Sequence, residues 1–418
     1  MLAIKNFIKS PSLRTLGVFA GGSLFVAVLG GLGGILQARW IEPAVFGEFR
    51  KFGILTSYFN IGLILVHDGV ARQFPYLLGK GKREEALKVA ATAKWWYLFL
   101  CWIFSVFFAG LALAMFVRCD VRSAVGWGVQ IPCVWMAIYG AYLGVMYRTS
   151  SDFKRLSYNN VALSILGFVA LAIVKVWGYW GLAARALLHN LASLCLYRHY
   201  LPVKVKASLD VKRLVDLAKI SLPLSIPGYF STSCLSASLS FLVLKYCGQR
   251  ELGIYGVALS FQGMALTFTA ALNQIFITKL TCKFGETEDV LSCLKYAKLP
   301  TLLSVGAATV LAFVLCLVVD PFIRVFLPKY VDSVQVIRIL AAQLPISAAG
   351  LPLLIIPAAL WYKSVSALTL TRVFVCMVAV ILLPKTPRMI AFCMILGEFC
   401  TLIVGYCILR WNLHKERV

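Results

Sequence analysis

The sequence predicts an all-α polytopic membrane protein with twelve transmembrane helices, arranged as two six-helix bundles related by a parallel internal repeat. Of its 418 residues, 61% are hydrophobic and only 14% are charged, whereas a soluble domain carries roughly a quarter charged residues. Apolar runs recur along the whole chain, each of about 20 residues, the length of a helix that crosses a bilayer. Because lipid offers no hydrogen bonds to bare backbone, and because the runs do not alternate, we expect helices rather than barrel strands.

Twelve apolar runs can be placed along the chain. Spans five and six are separated by Gly178-Tyr179-Trp180-Gly181, and spans ten and eleven by a break near Pro357. The first run follows Lys5, Lys9 and Arg14, and it is too long for a signal peptide, so we expect it to be retained as a span. The predicted spans are 16–38, 49–74, 95–117, 125–147, 160–177, 181–197, 221–244, 253–278, 300–319, 334–357, 361–383 and 389–411.

The net charge of +24 is a topology signal rather than a nucleic-acid surface. Basic residues concentrate in the loops after even-numbered spans, such as Lys80, Lys82 and Arg83, and the opposite loops hold fewer. By the positive-inside rule, both termini are predicted to be cytoplasmic. The 13 cysteines fall mostly inside apolar runs without metal-ligand spacing, so no metal and no cofactor are predicted.

The two bundles are predicted as residues 1–200 and 221–418, with 201–220 as a cytoplasmic amphipathic linker. Apolar residues recur at helical spacing from Leu209 to Lys219, with charges between them. A repeat supports the division, since Phe46-Gly47-Glu48-Phe49 aligns with Leu252-Gly253-Ile254-Tyr255, and the same offset places Gly79 over Gly285. Matching odd spans to odd spans makes the repeat parallel, and transporter substrate paths often lie at repeat interfaces.

Four stretches carry a family resemblance. They are "EPAVFGEF" after span one, "LVHDGVARQFPYLLGKGKREEA" at the end of span two, "GQRELGIYGVALSF" after span seven and "FLPKYVDSVQVIRIL" before span ten. The sequence thereby resembles the multidrug/oligosaccharidyl-lipid/polysaccharide exporter superfamily, and within it the O-antigen-type flippases of lipid-linked oligosaccharides. One departure concerns span seven, where "STSCLSASLSFLVL" has only small polar residues in place of the charges often found in related flippases.

The resemblance implies a function. It implies translocation of a polyprenyl-pyrophosphate-linked oligosaccharide to the periplasmic leaflet of a bacterial inner membrane by alternating access, coupled to an ion gradient. Membrane lipid and this glycan would be the partners, with polysaccharide polymerase or ligase proteins as further candidates. Two alternatives stay open: a drug/cation antiporter of the same superfamily, and a membrane enzyme of polysaccharide assembly. No nucleophile elbow, Asp-x-Asp pair or phosphate-cradling loop is found in the sequence, so no catalytic residue is predicted.

Charges at membrane depth are the candidate site residues, because intramembrane charge is costly. Of 17 acidic residues, two fall inside spans, Asp68 and Glu398, and both are candidates for ion coupling. The cations outnumber them, which suits an anionic cargo. The candidates for substrate binding are Arg72, Arg372, Arg185, Lys175, Arg50, Lys51 and Arg39.

Each candidate also has a structural interpretation. Arg185 could lie near the outer interface, with His189, four residues further on, neutral and buried. Lys175, Arg39, Arg50 and Lys51 could snorkel to the interface. Asp68 and Arg72, four residues apart on one helix, could neutralise each other. Glu398 could pair with Arg372 at similar depth on the neighbouring helix, or it could bind a proton or sodium ion during transport.

Overall fold

The computed structural model describes residues 11–150, 152–267, 290–358 and 361–415, and every regular element in these ranges is helical. The helices are α1 (Pro11–Trp40), α2 (Pro43–Phe59), α3 (His67–Gly79), α4 (Arg83–Val117), α5 (Val121–Thr149), α6 (Phe153–Val169), α7 (Leu171–Trp177), α8 (Tyr179–His199), α9 (Val211–Tyr229), α10 (Leu235–Cys247), α11 (249–267), α12 (Val290–Phe326), α13 (Ser333–Ala341), α14 (Gln343–Ala349), α15 (Ile355–Ala358), α16 (Tyr362–Leu382) and α17 (Pro387–Lys415).

Each predicted span has a helical counterpart. In the described ranges, 8 helices are long and apolar enough to cross a membrane, and the bent pair α2 and α3 makes up to 9. The other predicted spans correspond to α8, to α11, and to the broken run from α13 to α15. The end of the eighth predicted span, 268–278, lies outside the described residues, as does Gly285 of the repeat. The all-α polytopic fold is confirmed.

Helix ends differ from the predicted ends where charged residues continue a helix. The helix α4 begins at Arg83 and α12 at Val290, each well before its apolar run. The added part of α4 is rich in Glu, Ala, Lys and Leu, which are good helix formers, so the helix continues after the hydrophobic signal stops. Spans five and six meet at Gly178, whose φ of 55° ends α7 and starts α8.

Several spans are interrupted. A 3₁₀ turn at Asn60–Leu63 separates α2 from α3, and the two parts are bent by 43°. The tenth span is broken between α13, α14 and α15, with a 3₁₀ turn at Leu351–Leu354. In span seven a π-helix, Phe230–Cys234, joins α9 to α10. Irregular backbone at membrane depth is tolerated where protein groups or a polar cavity satisfy its hydrogen bonds. Such breaks are therefore often found at functional sites.

The chain divides by packing into two compact units, each described here by itself. Unit 1 comprises Met1–Ile41 with Phe52–Tyr229, and unit 2 comprises Glu42–Lys51 with Phe230–Val418. The core of unit 1 is aromatic: Tyr97, Tyr142 and Tyr147 are fully buried, and Tyr147 donates a hydrogen bond to the carbonyl of Tyr197 at 3.0 Å. The boundaries predicted at 200 and 220 stay a prediction.

The segment predicted as an amphipathic linker forms the start of α9, which continues into the seventh span. Asp210 caps this helix by accepting from the Arg213 backbone N–H at 3.1 Å, and this bond together with the Arg213 guanidinium lowers the pKa of Asp210. Leu217 is fully buried, and its carbonyl oxygen lies 2.6 Å from where a Cβ on Gly69 would be. The start of α9 is therefore packed tightly against α3 within unit 1, and its position on the cytoplasmic membrane face stays a prediction.

Candidate functional site

Four polar side chains of unit 2 form a continuous hydrogen-bonded chain, which we call the polar chain. Arg372 of α16 lies 3.4 Å from Glu398 of α17, measured from Nη2 to Oε2. The same carboxylate oxygen accepts from the Gln343 amide, and the Gln343 carbonyl accepts from the Gln262 amide. The polar chain therefore runs from α16 through α17 and then through α14, which is part of the broken tenth span, to α11.

The backbone places the charged pair of the polar chain. Arg372 and Glu398 stand in the middle parts of two antiparallel helices joined by a short turn. A Cβ on Gly397 would lie 2.4 Å from the Cys376 sulfur and 3.0 Å from the Arg372 carbonyl oxygen, so a glycine before Glu398 lets the two helices approach closely. The side chains of Arg372 and Glu398 are only 22% and 17% exposed. A buried Arg372 Nε makes no hydrogen bond with the described residues.

Arg185 of unit 1 has a different environment, in which its partners are neutral. Its Nε donates to the Gly167 carbonyl at 2.9 Å, and its Nη1 donates to the Gln37 side-chain carbonyl. No carboxylate among the described residues lies within ion-pair distance of Arg185. His189, one turn further along α8, has a buried Nδ1 that finds no partner in the same part of the structure. The Arg185 guanidinium is thus held by neutral oxygens, and no carboxylate among the described residues compensates its charge.

Arg50 is the second cation with neutral partners. It belongs to unit 2, where its Nη1 donates to the Gly256 carbonyl at 3.2 Å and its Cζ lies 5.5 Å from the centre of the Phe46 ring. Its side chain is half-buried and directed against α11. The Arg50 side chain is therefore held against α11 by neutral groups.

Asp68 stands in the first turn of α3, after the break in the second span. Its carboxylate accepts from the Ser225 hydroxyl at 2.6 Å, and the Ser225 and Ser221 hydroxyls are 3.2 Å apart. Both serines lie on α9, so Asp68 joins α3 to α9 within unit 1. Beside it, His67 is hydrogen-bonded to the buried Tyr97 hydroxyl at 3.0 Å.

The remaining predicted cations are peripheral or half-buried. Arg39, Arg72 and Lys175 are exposed, and the Lys175 ammonium lies 5.8 Å from the centre of the Trp40 ring. Lys51 is half-buried. Arg39 and Lys175 both stand at the Trp40 end of α1, where an aromatic ring and a long cationic side chain are typical of a membrane interface.

Three glutamine side chains that hold the charged residues, directly or through another glutamine, were not among the site residues predicted from the sequence. Gln262 and Gln343 are buried, and Gln37 holds Arg185, yet none of them carries a charge that would interrupt an apolar run. A usable signal did exist, since an amide buried without a partner costs several kcal/mol, roughly 2–7 depending on the reference state. A glutamine inside a predicted span therefore points to a polar partner on another helix.

Comparison with known proteins finds two kinds of likeness. A family profile described as "Polysaccharide biosynthesis protein" matches residues 36–330. An inward-facing multidrug resistance MATE family transporter of the MOP superfamily superposes with a TM-score of 0.72 at 16% identity, covering 93% of this chain and 95% of that one. An outward-facing MATE structure gives a TM-score of 0.69 at 15% identity, covering 98% and 97%. A search of curated protein sequences finds no match.

Proposed function

Since the chain belongs to the polysaccharide biosynthesis protein family, we propose that it is a flippase that carries a polyprenyl-pyrophosphate-linked oligosaccharide from the cytoplasmic to the periplasmic leaflet. Its fold is that of MATE transporters of the MOP superfamily, which is the fold expected from the motifs. An O-antigen-type cargo, an inner-membrane location with cytoplasmic termini, and coupling to an ion gradient are parts of the proposal.

The observation that carries the proposal is the neutral surroundings of Arg185. A guanidinium at membrane depth is costly unless a counter-charge or a full set of hydrogen bonds compensates it. Arg185 uses two of its nitrogens on neutral oxygens, and its Nη2 makes no hydrogen bond with the described residues. A phosphate oxygen would complete this environment, because the guanidinium fork binds phosphate in two-pronged fashion. A cationic drug, by contrast, would be repelled from it.

The polar chain supports a separate role for unit 2. Arg372 already has a carboxylate partner in Glu398, so this charge is compensated without cargo. A proton or sodium ion bound to the Glu398 carboxylate would neutralise the charge that holds Arg372, which is how an ion gradient could act on the fold. As long as Glu398 holds Arg372, we therefore assign the cargo charge to Arg185 and Arg50, and we assign ion coupling to Glu398.

A lipid-linked cargo with an anionic head group fits arginines that have only neutral partners among the described residues. The sugar and pyrophosphate head group cannot enter hydrocarbon unaided, since each unpaired polar group costs several kcal/mol. The polyprenyl tail can remain in lipid throughout. A helical membrane protein with a few desolvated arginines would supply the anionic head group with partners along its path.

The proposal is tested by transport in proteoliposomes with a fluorescently labelled polyprenyl-pyrophosphate disaccharide. Arg185→Gln is expected to slow translocation by about a hundredfold while the chain still folds, because glutamine can still donate to the Gly167 carbonyl but has lost the charge and the guanidinium fork. Arg185→Lys should recover part of the rate. Lys175→Gln, on the neighbouring α7 but exposed, is the matched control and should transport normally.

Three results would contradict the proposal. The fold likeness to multidrug resistance transporters favours a drug/cation antiporter as second candidate. Exchange of a cationic dye for protons or sodium, with the labelled lipid left in place, would establish that function instead. A change in the mass of the recovered lipid would establish an enzyme. Wild-type lipid transport by Arg185→Gln would remove the cationic site from the mechanism.

A further inference from the structure

Residues that the internal repeat makes equivalent contact each other in unit 2. The repeat offset that aligns Gly47 with Gly253 also aligns Arg50 with Gly256. A Cβ on Gly47 would lie 2.8 Å from the Gly253 nitrogen, and a Cβ on Gly253 would lie 3.0 Å from the Gly47 nitrogen. Such reciprocity is the property of a contact across a two-fold relation, where each residue meets its own counterpart.

The reciprocity stops at the next turn of the helices. Arg50 has a long cationic side chain, while its counterpart Gly256 has none. A Cβ on Gly256 would lie 2.6 Å from the Arg50 Cδ, 2.7 Å from Nε and 2.9 Å from Cζ. The side chain of Arg50 therefore occupies the volume that a side chain at 256 would need. Two arginines here would place like charges together at close range, which is strongly unfavourable away from water.

We propose that Gly256 is a positioning residue for Arg50, holding its guanidinium in one place for the pyrophosphate of the cargo; this rests on the proposed function. Gly256 acts in two ways, by leaving the space that Arg50 fills and by accepting from Nη1 with its carbonyl. The Phe46 ring covers the guanidinium from another side. All these partners are neutral, so they restrict the side chain without cancelling its charge.

Fixing Arg50 before cargo arrives favours binding. An arginine loses much rotamer freedom when it engages a ligand, and a preformed position reduces that loss. The close Gly47–Gly253 contact, one helical turn before Arg50 and Gly256, sets the distance between α2 and α11. This distance fixes the width of the space that the Arg50 side chain occupies beside Gly256. An alanine at 256 would push the guanidinium out of this position while leaving its charge and length unchanged.

The test is a double-mutant cycle on the full chain in detergent micelles, with geranylgeranyl pyrophosphate as the probe and uncharged geranylgeraniol as its neutral counterpart. Gly256→Ala should weaken binding of the pyrophosphate probe by about tenfold, the scale of one charged hydrogen bond. It should leave geranylgeraniol binding unchanged. Gly263→Ala is the matched control on the same helix, since a Cβ there meets nothing within 4 Å.

The decisive measurement is Gly256→Ala in the Arg50→Gln background. If Gly256 acts through Arg50, the double variant binds the probe as Arg50→Gln does alone. An equal loss in both backgrounds, or wild-type affinity of Gly256→Ala, overturns the positioning role. If the alanine variant does not fold, Phe46→Leu removes the covering ring without adding atoms, and it should cost about threefold only when Arg50 is present.

Failure of this inference is distinguishable from failure of the proposed function. If Arg50→Gln binds the probe normally while Arg185→Gln binds it weakly, the positioning role falls and the flippase proposal stands. If neither arginine affects the probe, the proposed anionic cargo falls, and the role of Gly256 with it.

Discussion

Replacement of Arg372 by glutamine tests whether the Arg372–Glu398 contact stabilises unit 2. At a separation of 3.4 Å, the Coulomb attraction is about 5 kcal/mol for an effective dielectric of about 20. Desolvation of both ions offsets much of this, so the intact pair is roughly neutral for stability. Loss of one member is different, because it leaves the other charge buried alone, commonly at a cost of ~3–5 kcal/mol.

Partial exposure moves the expected cost to the lower end of that range. The two side chains are 22% and 17% exposed, and Gln343 still donates to Glu398 in the variant. We therefore expect Arg372→Gln to destabilise by about 3 kcal/mol, which lowers the melting temperature by about 6–12 °C for a unit of this size. Glu398→Gln should cost somewhat less, since the guanidinium can reorient toward neutral acceptors.

The assay is thermal unfolding of the purified chain in detergent, followed by loss of monodisperse protein. The double variant Arg372→Gln with Glu398→Gln should recover at least half of the loss seen in the Arg372→Gln single variant, because no buried charge is left unpaired. Arg338→Gln serves as control, since this exposed arginine of α13 should change stability by less than about 0.5 kcal/mol. Additive losses in the double variant would refute the reasoning.

Three further outcomes are expected. Gly253→Ala places a Cβ 2.0 Å from the Pro43 carbonyl oxygen and should cost at least about 3 kcal/mol in thermal unfolding, whereas Gly263→Ala should stabilise by about 0.5–1 kcal/mol. Ser225→Ala removes the hydrogen bond to Asp68 and should cost about 1–2 kcal/mol, with little further loss on adding Asp68→Asn. Reporter fusions should place residue 418 in the cytoplasm and residues 118–124 outside; an external residue 418 would contradict twelve spans with cytoplasmic termini.

The spans were predictable because hydropathy depends on each residue by itself and can be summed over a window of the sequence. Even the short separation at Gly178 could be placed, since few residues other than glycine tolerate a φ of 55°. The charged ends of α4 and α12 were not, because hydropathy measures insertion into lipid and not the continuity of backbone hydrogen bonds. A helix can leave the membrane without ending.

The partners of the site residues could be predicted only in part. The pairing of Arg372 with Glu398 followed from similar depth on adjacent antiparallel helices. The contribution of Gln343 did not, because an uncharged glutamine does not stand out within an apolar run. Likewise, the repeat identified Gly47 and Gly253 as equivalent, but equivalence in sequence does not imply contact. The Gly47–Gly253 contact depends on α2 and α11 packing against each other across a two-fold relation, which the sequence repeat alone does not specify.

The two roles predicted for Glu398, pairing with Arg372 and binding a coupling ion, are linked through its hydrogen-bond partners. Its Oε2 is shared by Arg372 and Gln343, and a proton or sodium ion bound to this carboxylate would neutralise the charge that attracts Arg372 and favour its displacement. Displacement of Arg372 would free a guanidinium that could then attract an anion, and ion binding would favour cargo binding in the same unit. By linkage, the effect must be reciprocal.

This linkage gives the last prediction. For wild-type protein, lowering the pH or adding sodium should raise the affinity for geranylgeranyl pyrophosphate by about fivefold or more, the lower bound of ordinary coupling energies. Glu398→Gln cannot hold Arg372 by charge, so it should bind the probe tightly under all conditions and lose the ion response. Arg372→Gln should also lose the response, but with weak binding throughout. If Arg372 and Glu398 had only a structural role, Glu398→Gln and Arg372→Gln would not differ in this way, with tight probe binding in one and weak probe binding in the other. Equal affinities in the two variants would show that Arg372 never contacts the cargo, and would leave Glu398 a structural partner alone.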